Sequence, residues 1–188
     1  GPLHLGGVRT ALYDYLFAKN QGGEFILRIE DTDTARYVEG AEEYIMEALE
    51  WCGITPDESP KKGGKFAPYR QSERRDIYDR YTEQILKTDY AYIAFDTAEE
   101  LDAIRAEYEA KGDVFSYNNI SRNRLKNSIA LSEEEVQKLL NAKTPYVVRF
   151  KMPVDRTLNL VDIIRGNTAV NTNTLDDKVL VKNDGMPT

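Results

Sequence analysis

The sequence predicts an α/β fold, with parallel strands in its first part and a separate module of helices and strands behind it. Three observations lead there. A helical pattern, a short apolar run and a second helical pattern follow one another within the first seventy residues, and a helix between strands is the connection that parallel pairing requires. Two helix-start signals and four β-like runs then follow residue 86. A boundary is therefore expected near residue 86.

The elements follow in order. Val8, Ala11, Leu12, Tyr15 and Leu16 recur at the spacing of one helix face, and Gly22-Gly23 ends that helix. The run Phe25-Ile26-Leu27-Arg28-Ile29, bounded by Gly-Gly and by Glu30-Asp31-Thr32-Asp33, reads as a strand buried on both faces. Val38, Ala41, Tyr44, Ile45, Ala48, Leu49 and Cys52 mark a second helix that Gly53 closes. Residues 55–68 are rich in Gly, Pro, Lys and Asp and read as a surface loop, and a third helix is expected over 71–87. Residues 90–95 look like a strand. Thr97-Ala98-Glu99-Glu100 and Ser132-Glu133-Glu134-Glu135 are capping-box sequences, the first opening a helix with Leu101, Ile104 and Tyr108, the second one with Val136, Leu139 and Leu140. Residues 146–152, 158–164 and 178–182 are β-like, and Asn183-Asp184-Gly185 signals a turn.

Composition narrows the function. A chain of 188 residues can bury a proper core, and a single cysteine permits no intramolecular disulfide. One cysteine and one histidine leave almost no means of building a His/Cys metal centre. No membrane-length apolar stretch and no signal-peptide layout occur, so a cytoplasmic protein without membrane contact is expected. The net charge of −7 argues against a sequence-blind nucleic-acid binder. Clusters at Lys61, Lys62 and Lys65, at Arg70, Arg74, Arg75 and Arg80, and at Arg122, Arg124 and Lys126 could meet phosphates or could be solvated surface.

The sole histidine, His4, stands beside Gly6 and Gly7 where the first helix begins. An imidazole donor, glycines that allow close approach and the positive end of a helix together suit a polyphosphate. Histidines of this kind are also common as plain surface residues. Glu30, Asp31 and Asp33 leave the buried run at its carboxyl end, where doubly wound sheets bind ligands; an acidic helix-start loop capped by Asp33 or Thr34 reads the same residues equally well.

The strings Gly1-Pro2-Leu3-His4-Leu5-Gly6-Gly7, Arg28-Ile29-Glu30-Asp31-Thr32-Asp33 and Tyr69-Arg70-Gln71-Ser72-Glu73-Arg74 resemble the catalytic domain of bacterial-type glutamyl-tRNA synthetases, which are class I aminoacyl-tRNA synthetases. Weaker strings, Asp162-Ile163-Ile164-Arg165-Gly166 and Asn183-Asp184-Gly185-Met186-Pro187-Thr188 among them, follow in the family's order. The resemblance implies a partial Rossmann-type fold over residues 1–85 and an inserted α+β connective module, which binds the tRNA acceptor stem, over 86–188. It implies two reactions: glutamate attacks the α-phosphate of ATP, and the glutamyl-adenylate then esterifies the 3' end of tRNA(Glu).

By that resemblance His4 and Gly6 match the first histidine and the glycine of the H-I-G-H signature, a catalytic and ATP-binding element to which Gly7 also belongs although it departs from the second histidine. Glu30 matches the glutamate that reads the substrate's ammonium, and Asp33 and Arg36 match positions near the tRNA 3' end. Mg2+ is expected only with ATP, and no zinc, because Ala94 and Asp96 stand where some relatives carry cysteine ligands. A monomer is expected. The family's substrate-gripping arginine and its K-M-S-K-type loop are not in the sequence, so a fragment that does not complete catalysis alone is expected. The paralogue that glutamylates a modified tRNA base, glutaminyl-tRNA synthetase, and a non-catalytic module that binds the tRNA acceptor are the alternatives.

Overall fold

Two units, Gly1–Asp76 and Ile77–Thr188, each hold their own contacts in the computed structural model, which describes residues 3–33 and 38–188. The division falls within a helix. Among the described residues no helix is long and apolar enough to cross a membrane.

The first unit is built on helix α1 (Leu5–Asn20) and helix α2 (Ala41–Trp51). Val8, Ala11, Tyr15 and Ala18 of α1 pack with Ile45 against a centre of Phe25, Leu49 and Ile54. Leu12 and Leu16, expected on the same face, are instead exposed. They lie about 40° and 80° around the helix from Val8, on the side away from Ala11, Tyr15 and Ala18, so the buried face is narrower than the apolar pattern. Gly22, at a φ of 67°, turns the chain out of α1, and Gly23 returns a 2.8 Å hydrogen bond to the Ala18 carbonyl.

Residues 25–29 depart from expectation. They form no continuous strand and are not buried on both faces: Phe25 is buried, Leu27 and Ile29 are half-buried, and Ile26, Arg28 and Glu30 are exposed. Isolated parallel bridges join Ile26 to Glu58 and Ile29 to Arg70. Their hydrogen bonds use the N–H of Leu27 and Ile29 and the carbonyls of Phe25 and Ile29, which all leave one edge of the segment. The expected loop at 55–68 therefore begins as a partner of this segment, with Asp57 and Glu58 alongside Phe25 and Leu27.

A 3-10 turn (Gln71–Arg74) runs into helix α3 (Arg75–Leu86), in place of one uniform helix over 71–87. The second unit then carries strand β1 (Ala91–Ala94), helix α4 (Ala98–Glu109), helix α5 (Glu133–Asn141) and strand β2 (Val147–Phe150). Strands β3 (Thr157–Asp162), β4 (Gly166–Asn171) and β5 (Val179–Val181) complete it. The order β1-β2-β5 makes an antiparallel sheet, and β3 and β4 form a separate hairpin. Tyr92, Ala94, Leu101, Tyr117 and Leu125 are its core. Both capping boxes form, each hydroxyl accepting from the N–H of a glutamate whose carboxylate returns to the capping residue.

The expected strand over 158–164 stops at Asp162, because that carboxylate accepts the N–H groups of Ile164 and Arg165 and closes the hairpin turn. The basic clusters also divide. Arg122 is buried in an ion pair with Asp177, Arg70 is held by Glu42 and Glu73, and Arg74 donates to the carbonyls of Phe66 and Pro68. These three arginines serve the fold, and Arg122 is closed to a phosphate.

Candidate active site

His4 is the N-cap of α1, and its backbone is extended at a φ of −117°. Its Nδ1 accepts the N–H of Gly6 at 3.1 Å. A neutral imidazole that accepts at Nδ1 carries its proton on Nε2, so the ring presents an N–H outward. No acidic side chain stands in the first turn of α1. The positive end of the helix and the histidine donor thus remain available to an anion.

The two glycines have a local cause. A Cβ on Gly6 would lie 2.9 Å from His4 Cε1, and one on Gly7 would lie 2.7 Å from Leu3 Cδ1. The imidazole folds back over Gly6 while Leu3 drops into the core beside Val8. Their smallness lets residue 4 cap its own helix, which is a more specific demand than open room for a ligand.

Glu30 stands at the end of the extended segment with its side chain 67% exposed, and Arg28 donates to its Oε1 at 2.8 Å. Around it the two diagnostic strings of the sequence meet. The Ile29 N–H donates to the Tyr69 carbonyl at 2.8 Å and the Gln71 N–H donates back to Ile29 at 2.9 Å. Asp31 accepts from the N–H and the hydroxyl of Ser72 at 2.8 and 2.5 Å. Thr32 donates to Gln71 Oε1 at 3.2 Å. Burial pushes the Asp31 carboxyl up, but the two Ser72 bonds and the charge of Arg70 outweigh it and hold the group below the ordinary carboxylate range.

The far side of this contact is braced as well. Glu58 accepts from the hydroxyl of Tyr69 and from the N–H groups of Lys65 and Phe66 at 3.1 and 3.3 Å, closing the loop that brings Tyr69 to Ile29. Gly64 sits at a φ of 146°, where a Cβ would fall 2.4 Å from the Glu58 carboxyl carbon. Only glycine fits.

His4, Gly6 and Gly7 thus form one cluster, and the residues flanking Glu30 form a second with residues 69–72; no hydrogen bond joins His4 to Glu30 among the described residues. Both are tied to one core through Leu3, Val8, Phe25 and Leu27. Asp33 is exposed next to the second cluster. Arg36 lies outside the described residues. Ser72, Gln71 and Glu58 had no assigned roles in the sequence and Asp31 was read only within the acidic cluster; for Asp31, Gln71 and Ser72 the signal was that the strings 28–33 and 69–74 occur together, and Glu58 lies in the expected loop. Among the described residues no group of three metal-ligating side chains occurs.

A helix capped by His4 and followed by the acidic end of an extended segment is the arrangement that the resemblance to class I synthetases implies. The family described as tRNA synthetases class I (E and Q), catalytic domain, matches residues 1–188, and the chain belongs to it. The glutamate–tRNA ligases of Christiangramia forsetii and Flavobacterium johnsoniae are 62% and 58% identical over the whole chain. A crystal structure of a glutamate tRNA ligase from Elizabethkingia meningosepticum, in complex with its amino acid, is 81% identical at a TM-score of 0.96, and one of a glutamate-tRNA synthetase from Elizabethkingia anophelis superposes at 0.97. The chain spans 37–38% of the length of these proteins.

Proposed function

We propose that the chain is the N-terminal part of the catalytic domain of a glutamate–tRNA ligase that activates glutamate with ATP and transfers it to the 3' end of tRNA(Glu). The geometry of His4 carries the reading: Nδ1 is committed to Gly6, which leaves Nε2 as the donor of an exposed ring at a helix start free of acid. Such a donor stabilises charge that grows on the phosphates as the glutamate carboxylate attacks the α-phosphate and pyrophosphate leaves. Gly6 and Gly7 leave room for the His4 ring and for Leu3, so the histidine can hold this place at the helix start.

Glu30 is the carboxylate that receives the substrate ammonium. Arg28 holds Oε1, and Oε2 takes no hydrogen bond among the described residues. A fixed carboxylate with one oxygen to offer suits an ammonium brought out of water. Asp33 and Arg36 belong to the approach of the tRNA end in this reading. Mg2+ enters with ATP, bound through the phosphates. The reading includes a monomeric, cytoplasmic enzyme.

Glutamate-dependent ATP–pyrophosphate exchange by the full-length enzyme tests the assignment of Glu30. Glu30→Gln should raise the KM for glutamate with little change in the KM for ATP; equal effects on the two substrates would remove the ammonium-reading role.

A further inference from the structure

We propose that Asp31 is a positioning residue for glutamate recognition: by clamping Ser72 with both carboxylate oxygens, it fixes the backbone from which Glu30 reaches the substrate ammonium. This rests on the reading of Glu30 given above. Glu30 lies between two anchored neighbours. Before it, Ile29 exchanges two backbone hydrogen bonds with Tyr69 and Gln71. After it, Asp31 accepts from the Ser72 N–H and hydroxyl. Residue 30 itself makes no bond to the 69–72 segment among the described residues, so the position of its side chain depends on these two attachments and on Arg28.

The arrangement separates Asp31 from its acidic neighbour. Both of its oxygens are engaged with Ser72, so it is not a group that meets the ligand. It also does something that the 3-10 turn cannot do alone. The residue before that turn, Arg70, supplies no side-chain cap, and its guanidinium is occupied by Glu42 and Glu73. Asp31 satisfies the open N–H of Ser72 from a segment forty-one residues earlier. One bond pair therefore both caps the turn and sets the register of the acidic segment against it. Misplacing a binding carboxylate by about 1 Å is enough to weaken a site severely.

The test is steady-state exchange kinetics on the full-length enzyme with Asp31→Ala, Asp31→Asn, Ser72→Ala, the Asp31→Ala/Ser72→Ala double variant and Glu30→Gln. Asp31→Ala should raise the KM for glutamate about tenfold to a hundredfold, as expected for losing a charge-assisted pair of bonds, and leave the KM for ATP nearly unchanged. Asp31→Asn keeps an acceptor for the Ser72 N–H and a donor for its hydroxyl, and should recover most of the loss. The double variant should be little worse than Asp31→Ala, because the two residues act through one contact. Should Asp31→Ala fold poorly, Asp31→Asn and Ser72→Ala carry the same test at smaller amplitude. Glutamate and ATP KM values that rise together, or do not rise, while Glu30→Gln remains selective for glutamate would overturn the positioning role alone. A Glu30→Gln variant without selectivity would overturn the Glu30 reading and this proposal with it.

Discussion

His4 commits one ring nitrogen to its own helix and turns the other outward, so a single side chain organises the start of α1 and offers a donor there. Its place at the helix start was legible in the sequence from the helical pattern that follows it, although histidines of this kind are also common as plain surface residues. The reason for the glycines was not legible, since the imidazole packing over Gly6 depends on a rotamer that no string of letters encodes. Asp31 was read only as one of an acidic cluster at a ligand site, and its bond to Ser72 was not legible because that partner is forty-one residues away. Its electrostatics lead to a measurable consequence. The carboxyl sits below its ordinary value in the folded chain, burial being outweighed by the Ser72 bonds. Its stabilisation is complete above the unfolded value near about 3.9 and is lost as pH falls through the lower folded value. Ser72→Ala should therefore flatten the loss of stability in this acid range, measured as the urea midpoint against pH; an unchanged acid limb would show that the bond contributes nothing to the folded state's proton affinity.

At the scale of elements, legibility followed the range of the interactions. The two capping boxes were readable because donor and acceptor are three residues apart, and both formed as the spacing required. Thr97→Ala should cost the second unit about 1 kcal/mol, read from urea unfolding followed by helical circular dichroism; no loss would mean that water replaces the cap at no cost. The segment at 25–29 was harder. Its apolar run suggested burial on two faces, whereas its bonds leave along one edge and Ile26 is exposed. Whether such a run becomes a ladder strand depends on what pairs with it, and here the partners at 57–58 and 69–71 come from a stretch rich in loop-forming residues. Strand β4 escaped the sequence pattern altogether. Gly166-Asn167-Thr168-Ala169-Val170-Asn171 carries little apolar signal, and it is a strand because Asp162 closes the turn that pairs it with β3.

At the scale of the whole molecule, the mixed α/β character and the family were legible, while the allotment of charge was not. Arg122, which looked ready for phosphate, is absorbed by an internal carboxylate: Asp177 is fully buried and accepts from Arg122, from the Tyr92 hydroxyl and from the Met152 N–H. Burial and the Asp177 carboxylate push the Tyr92 hydroxyl well above its ordinary range, so that hydroxyl keeps its proton at any ordinary pH. In the proposed enzyme, His4 supplies phosphate stabilisation at the start of α1. Glutamate-dependent ATP–pyrophosphate exchange by the full-length enzyme carrying His4→Ala tests that claim most directly. The account predicts an exchange rate lowered by about 2.7–4 kcal/mol of barrier, in the manner of a lost charge-stabilising donor, with the fold retained by circular dichroism; an exchange rate equal to that of the unaltered enzyme would contradict it.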